Sequence, residues 1–334
     1  MPLASSDDAL CRAHDVALLD LDGVVYVGPD AVPGARESLA SAADAGMRVG
    51  YLTNNASRPP AAVAAHLREL GMPVTGDDAV ITSAQAVARL IRDDIGSGGT
   101  VLVAGGEGLV HCLEEVGLRT TRELSDSVGA VVQGFSPDLA WSDLAEVSYA
   151  LHAGLPWYAS NTDSTFPTAR GTAPGNGSLV QAVANATRRW PIVAGKPERA
   201  LFEESLTRLA PQAPLMVGDR IDTDIEGAIS AGIPSLAVLT GVSTLQDLAE
   251  APVGSRPDFV APDLAALLVA HPRLDLTEDR STCGRATVRR DGEELVLETA
   301  GEPLHVVRAA LSLAWSIADE SGHVPRVPGL GTMR

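Results

Sequence analysis

The apolar run VALLD at 16–20 closes on Asp20-Leu21-Asp22-Gly23. Residues two apart on an extended chain face the same side. This spacing therefore sets Asp20 and Asp22 together at the carboxyl end of a strand, the edge where open α/β sheets bind ligands. A carboxylate placed there can act as a nucleophile, a proton carrier or a hard metal ligand. The same four residues also describe a turn with two solvated acids, so the motif needs company to carry a function.

Company comes from three later points. Thr53-Asn54-Asn55 ends the apolar run at 49–53 and offers a hydroxyl and amide groups at a second strand edge. Gly195-Lys196-Pro197-Glu198 precedes a helical pattern, and Gly218-Asp219-Arg220-Ile221-Asp222-Thr223-Asp224 follows another apolar run. Acids at a helix start could serve the helix dipole alone. Lys196 is harder to dismiss, because it is the one lysine among 25 basic residues. Codon pressure in a GC-rich genome would favour arginine throughout but would not spare one position, so position 196 calls for an ammonium group.

The elements that position these residues read as parallel α/β units. Strands are expected at 16–20, 49–53, 101–104, 130–133, 215–218 and 235–239, mostly as unbroken apolar runs of the kind buried on both faces. Helices are expected at 35–45, 60–70, 83–94, 140–152, 178–189 and 198–209, with Gly46, Gly71 and Gly117 placed as carboxyl-terminal caps. From about residue 274 the pattern changes to a hairpin around Asp291-Gly292 and a helix over 304–319. The Pro- and Gly-rich end, 324–334, reads as frayed.

Composition narrows the function. The net charge of −18 disfavours nucleic acid and anionic membranes as partners, and an anionic substrate would need a local cation. Cys11, Cys112 and Cys283 have no ligand spacing, and the first residues lack a secretory pattern, which together suit a cytoplasmic setting. The seven histidines show no metal-ligand spacing. GGEG at 105–108 has the wrong spacing for a dinucleotide loop and reads as a structural turn.

Asp, Thr, Lys and an Asp pair at successive strand ends, in that order, resemble the haloacid dehalogenase superfamily. DLDGVVY at 20–26, LTNNAS at 52–57, APGNGSLV at 173–180, GKPE at 195–198, MVGDRIDTDIEGAISAG at 216–232 and TGVSTLQDL at 240–248 resemble its NagD-like branch. That branch includes phosphoglycolate, glycerol-phosphate and pyridoxal-phosphate phosphatases. The resemblance covers about 14–270. It implies an α/β fold with a Rossmann-like parallel-sheet core at 14–82 and 192–270, and an inserted α/β cap of the large C2 type at 83–191. Residues 274–334 remain as a small ββα extension of unassigned role.

The resemblance also implies roles. Asp20 is the nucleophile that forms an aspartyl phosphate, and Asp22 is the acid and base. Magnesium is the implied cofactor, held by Asp20, the Asp22 carbonyl and Asp219, with Asp224 supporting from behind. Gly23, Thr53, Asn54, Asn55 and Lys196 are expected at the phosphoryl group, and Asn161 and Asp163 of the cap at the rest of the substrate. Phe166 stands near a position where pyridoxal-phosphate enzymes carry histidine, which argues against that substrate.

The expected reaction is hydrolysis of a small phosphomonoester, with glycerol 3-phosphate favoured over phosphoglycolate, other sugar phosphates and nucleoside monophosphates. Transfer to another acceptor is an alternative. A phosphorylated signalling domain is a weaker one, because it needs neither Asp22 nor a cap of about 100 residues. A homodimer is compatible with the sequence.

Overall fold

The computed structural model describes residues 2–168 and 170–329, with 166–168 described by backbone alone. The chain forms two compact units, one from Met1–Val49, Leu70–Pro73 and Pro211–Arg334, the other from Gly50–Glu69 and Val74–Ala210. Both are α/β with parallel sheets, as the alternation of apolar runs and helical patterns requires. Gly46, Gly71 and Gly117 have φ of 101°, 79° and 82°, the left-handed backbone expected at their helix ends.

The first unit holds four parallel strands in the order Phe259–Ala261, Ser235–Val238, Pro214–Gly218, Val16–Asp20. Residues 16–19 and 215–217 are fully buried, which is why these runs are apolar without alternation. Leu19 pairs with Val217 in parallel register. Asp20 and Asp219 therefore leave the sheet at the same edge. Strand Arg48–Thr53 begins in this unit and ends in the other.

The carboxyl-terminal segment is larger than the expected ββα. Four antiparallel strands, Leu274–Leu276, Arg280–Cys283, Ala286–Asp291 and Glu294–Thr299, form a sheet in chain order, followed by helix Pro303–Ser321. It is not an appendage. Val307, Ala310, Leu311, Ala314 and Trp315 of the helix share one core with Ile225, Leu245, Leu248 and Val260. Each large apolar side chain so buried contributes roughly 1.5–3 kcal/mol. Trp315 Nε1 donates to the Leu248 carbonyl at 2.9 Å, and Arg256 forms a bidentate pair with Asp319 at 2.7 Å.

The expected fraying of 324–334 is corrected for 326–327. Arg326 N–H donates to the Glu293 carbonyl and Val327 N–H to Gln246 Oε1, and the Val327 side chain is buried. Residues 330–334 of that expectation lie outside the described residues.

The second unit pairs the end of Arg48–Thr53 with Val80–Thr82, Thr53 opposite Thr82. It also holds a five-stranded parallel sheet in the order Ile192–Val193, Trp157–Ala159, Val128–Gln133, Thr100–Ala104, Arg119–Thr121. Helices Ser83–Ile95, Glu107–Glu115, Trp141–His152, Asn176–Thr187 and Arg199–Leu209 connect or follow these strands. Thr82 starts the first of them with a full capping box to Gln85. Among the described residues no helix is long and apolar enough to cross a membrane.

Candidate active site

The parallel register of the first unit delivers three acids to one place. Asp20, Asp219 and Asp224 each bring a carboxylate oxygen within 4.8 Å of the others. Asp20 is half-buried, and Asp219 and Asp224 are 1% and 0% exposed. Like charges about 4 Å apart repel by roughly 4 kcal/mol at an effective dielectric of 20. A cation or a proton relieves that.

Backbone approaches hold the acids in place. Residues Ile221–Ile225 form one wide π turn, a feature frequent at functional sites, and it folds Asp224 back onto the strand end. Asp224 Oδ2 accepts the N–H groups of Asp219 and Arg220 at 3.2 and 3.1 Å. Asp219 Oδ2 accepts the Val242 N–H at 2.6 Å. A Cβ on Gly241 would stand 1.9 Å from Asp219 Oδ2, and one on Gly218 would stand 2.2 Å from Asp224 Cβ. Gly23, at φ 90°, would meet the same Asp219 oxygen at 2.5 Å. These glycines let the chain close on the carboxylates.

An all-oxygen donor set of three convergent carboxylates fits a hard divalent cation such as Mg²⁺. It is the one such group among the described residues, and no histidine belongs to it. The Asp22 carboxylate is not in it either. Asp22 is exposed and forms an isolated bridge with Tyr26, while Gly23 N–H donates to the Tyr26 carbonyl and Thr240 Oγ1 to the Gly23 carbonyl.

The second unit gathers the other site residues into a hydrogen-bonded network. Buried Thr53 accepts the Asn55 N–H on Oγ1 at 3.0 Å, and Asn55 Oδ1 accepts both the N–H and the hydroxyl of Ser57. Asn54 Oδ1 accepts the Lys196 N–H at 2.8 Å, and its Nδ2 donates to the Lys196 carbonyl and to Asp163 Oδ1, both at 3.1 Å. The Asn54 carbonyl accepts Asn161 Nδ2 at 2.7 Å and Ser83 Oγ at 2.6 Å. Lys196 is 3% exposed.

Three residues of this network escaped the sequence reading. Ser83 and Asn176, whose Nδ2 donates to the Asn161 carbonyl at 2.6 Å, are polar residues at helix starts and look like ordinary caps. Gly195, where a Cβ would stand 2.7 Å from Asn54 Oδ1, was legible only as part of GKPE. Asn161 is 4% exposed; its Nδ2 donates to the Asn54 carbonyl and its Oδ1 accepts the Asp163 N–H.

The Phe166 side chain lies outside the described residues. In GGEG, Gly106 precedes helix Glu107–Glu115, and a Cβ on Gly108 would stand 2.5 Å from the Arg58 backbone, so the glycines serve close packing.

Similarity to known proteins follows the same residues. A family model described as haloacid dehalogenase-like hydrolase matches residues 17–119, and a second, HAD-hydrolase-like, matches 193–267. The chain is 44% identical over 313 residues to the D-glycerol 3-phosphate phosphatase of Mycobacterium tuberculosis, covering 92% of this chain and 87% of that protein. It is 34% identical to the glycerol-3-phosphate phosphatase of Gallus gallus, covering 77% and 91%. A crystal structure of the Mycobacterium tuberculosis glycerol phosphate phosphatase in complex with magnesium superposes with a TM-score of 0.83. It is 40% identical and covers 96% of this chain and 94% of that one. Both the acid cluster and the Thr53–Lys196 network fall on segments these matches span, and the chain belongs to the haloacid dehalogenase-like hydrolases.

Proposed function

We propose that this protein is a magnesium-dependent phosphomonoesterase whose substrate is glycerol 3-phosphate. The observation that carries the substrate is the reach of the similarity. The family models stop at residue 267, whereas the match to a protein named D-glycerol 3-phosphate phosphatase takes in 92% of the chain. In this reading residues 14–82 and 192–270 are the catalytic core and 83–191 the cap that selects substrate.

Asp20 Oδ attacks phosphorus as the P–O bond to the glycerol oxygen breaks, and Asp22 gives its proton to that leaving alkoxide. Water then attacks the aspartyl phosphate, Asp22 takes back a proton, and Asp20 is released with inorganic phosphate. Thr53, Lys196 and the backbone at Gly23, Asn54 and Asn55 hold the phosphoryl oxygens, each such donor being worth on the order of 3 kcal/mol in the barrier. A divalent cation held by Asp20, Asp219 and the Asp22 carbonyl, with Asp224 behind them, would screen the repulsion between the anionic nucleophile and phosphate. Asn161 and Asp163 face the remainder of the substrate.

The net charge of −18 supports a small monoester over polyanions. Three free, buried cysteines support a cytoplasmic setting. A homodimer is part of the same proposal, tested by sedimentation velocity. The deciding experiment measures phosphate release from glycerol 3-phosphate, phosphoglycolate, sugar phosphates and nucleoside monophosphates, with product analysis for phosphorylated acceptors. Glycerol 3-phosphate should give the highest kcat/KM. A nucleotide outrunning every three-carbon ester, or phosphate appearing mainly on an acceptor, would overturn the reading.

A further inference from the structure

Asn54 uses its side chain in an unusual way for a residue beside a phosphoryl-binding threonine. Its amide pairs with both main-chain groups of Lys196, a residue 142 positions away, accepting from N–H at 2.8 Å and donating to the carbonyl at 3.1 Å. The second Nδ2 hydrogen goes to Asp163 Oδ1 at 3.1 Å. Both donors of the amide are spent.

The ring then closes. Asp163 N–H donates to Asn161 Oδ1 at 3.2 Å, and Asn161 Nδ2 donates to the Asn54 carbonyl at 2.7 Å. Loop 161–163 thus grips Asn54 at its side chain and at its backbone, and Asn54 grips Lys196. A Cβ on Gly195 would stand 2.7 Å from Asn54 Oδ1 and 2.6 Å from the Ser160 carbonyl, so nothing larger than glycine leaves room for the clamp.

We propose that Asn54 is a positioning residue that sets Lys196 through its main chain and makes that setting depend on Asp163. The proposal rests on the reading of Lys196 as the phosphoryl-binding cation. Asp163 then acts mainly through Asn54, and its influence reaches any phosphomonoester whatever its leaving group. The carboxylate orients the amide by a charge-assisted hydrogen bond. Aspartate cannot stand in for Asn54, because it has no donor and would face Asp163 as a second carboxylate.

The test assays Asp163→Ala, Asp163→Asn, Asn54→Asp and Asn54→Asp with Asp163→Asn on glycerol 3-phosphate and on p-nitrophenyl phosphate, which lacks the glycerol hydroxyls. Asp163→Ala should lower kcat about tenfold on both, the effect of one lost hydrogen bond, and Asp163→Asn, which keeps the acceptor, should stay within about threefold of wild type. Asn54→Asp should lose about a hundredfold, and adding Asp163→Asn should recover about tenfold of it, since neighbours in one network couple. If Asn54→Asp does not fold, the Asp163 series decides alone.

Hydrogen exchange at the Lys196 amide gives a readout independent of turnover, and it should quicken in Asp163→Ala. Loss confined to glycerol 3-phosphate, no recovery in the double variant, or unchanged exchange would each overturn the proposal. A wild-type protein that releases phosphate from neither ester, yet shows the exchange effect, would sink the phosphatase reading and leave the positioning intact.

Discussion

Two of the places where the first unit buries charge handle it in opposite ways. At the strand edge, Asp20, Asp219 and Asp224 crowd like charges within 4.8 Å. In the carboxyl-terminal helix, Arg308 is 0% exposed, and its guanidinium is spread over neutral acceptors. Nη2 donates to the Ala4 and Pro272 carbonyls at 2.7 and 2.8 Å, and Nη1 lies 3.3 Å from His271 Nδ1. Burial pushes the His271 pKa down to about 4, so the ring is neutral; with Nε2–H on the Ala266 carbonyl, Nδ1 is left to accept. The guanidinium ties the amino-terminal arm, the 272 turn and the last helix together. Buried charge alone is therefore no sign of function. Convergence of like charge is, because it asks for an ion from outside.

The sharpest test exchanges one charge in each place. Asp20→Asn should remove turnover by more than about 10⁴-fold, as loss of a nucleophile does. Its melting temperature should hold or rise, because one repelling charge is gone. A fall of several degrees would make the trio a structural device and erase the contrast. Arg308→Met should do the reverse. Two buried carbonyls lose their donor at about 1–3 kcal/mol each, so unfolding free energy should drop by about 3 kcal/mol, read by denaturant titration, while kcat of the folded fraction stays within about twofold.

Lys196→Arg comes next. The guanidinium is planar and larger than the ammonium it replaces, and kcat should fall about a hundredfold at unchanged charge. A near-wild-type rate would reduce the lone lysine to an accident of composition.

The smallest effect belongs to His271. Its folded pKa of about 4 lies below the ordinary 6.5, so between those values the unfolded chain binds more protons. Its contribution is therefore intact above pH 6.5 and is lost as pH falls toward 4. His271→Gln should flatten that part of the stability–pH curve. An unchanged acid limb would mean that the charge is tolerated, and that the Arg308 cluster is less closed than its geometry indicates.

Strand ends were the legible part of this molecule. Asp20, Thr53 and Asp219 each close an apolar run, and parallel pairing aligns such ends without further information. The tie from Asn54 to Asn161, Asp163 and Lys196 was not legible, since no local pattern records hydrogen bonds between residues more than a hundred positions apart. The strands Leu274–Leu276 and Arg280–Cys283 are short, and they are defined only by pairing, the first with the second and the second with Ala286–Asp291. Val327 sits in a Pro- and Gly-rich stretch that reads as loose chain, yet it reaches an apolar core that the sequence does not announce.

The 3% exposure of Lys196 has a practical side. Every other basic side chain is arginine or histidine, so the folded surface offers amine-directed dyes and cross-linkers almost nothing beyond the chain terminus. With 3% of its surface exposed, the lysine should react slowly in the folded protein and faster when the structure around it opens. A single mass shift at residue 196 would then count opening events in a mixture, with no introduced probe and no background from neighbouring lysines.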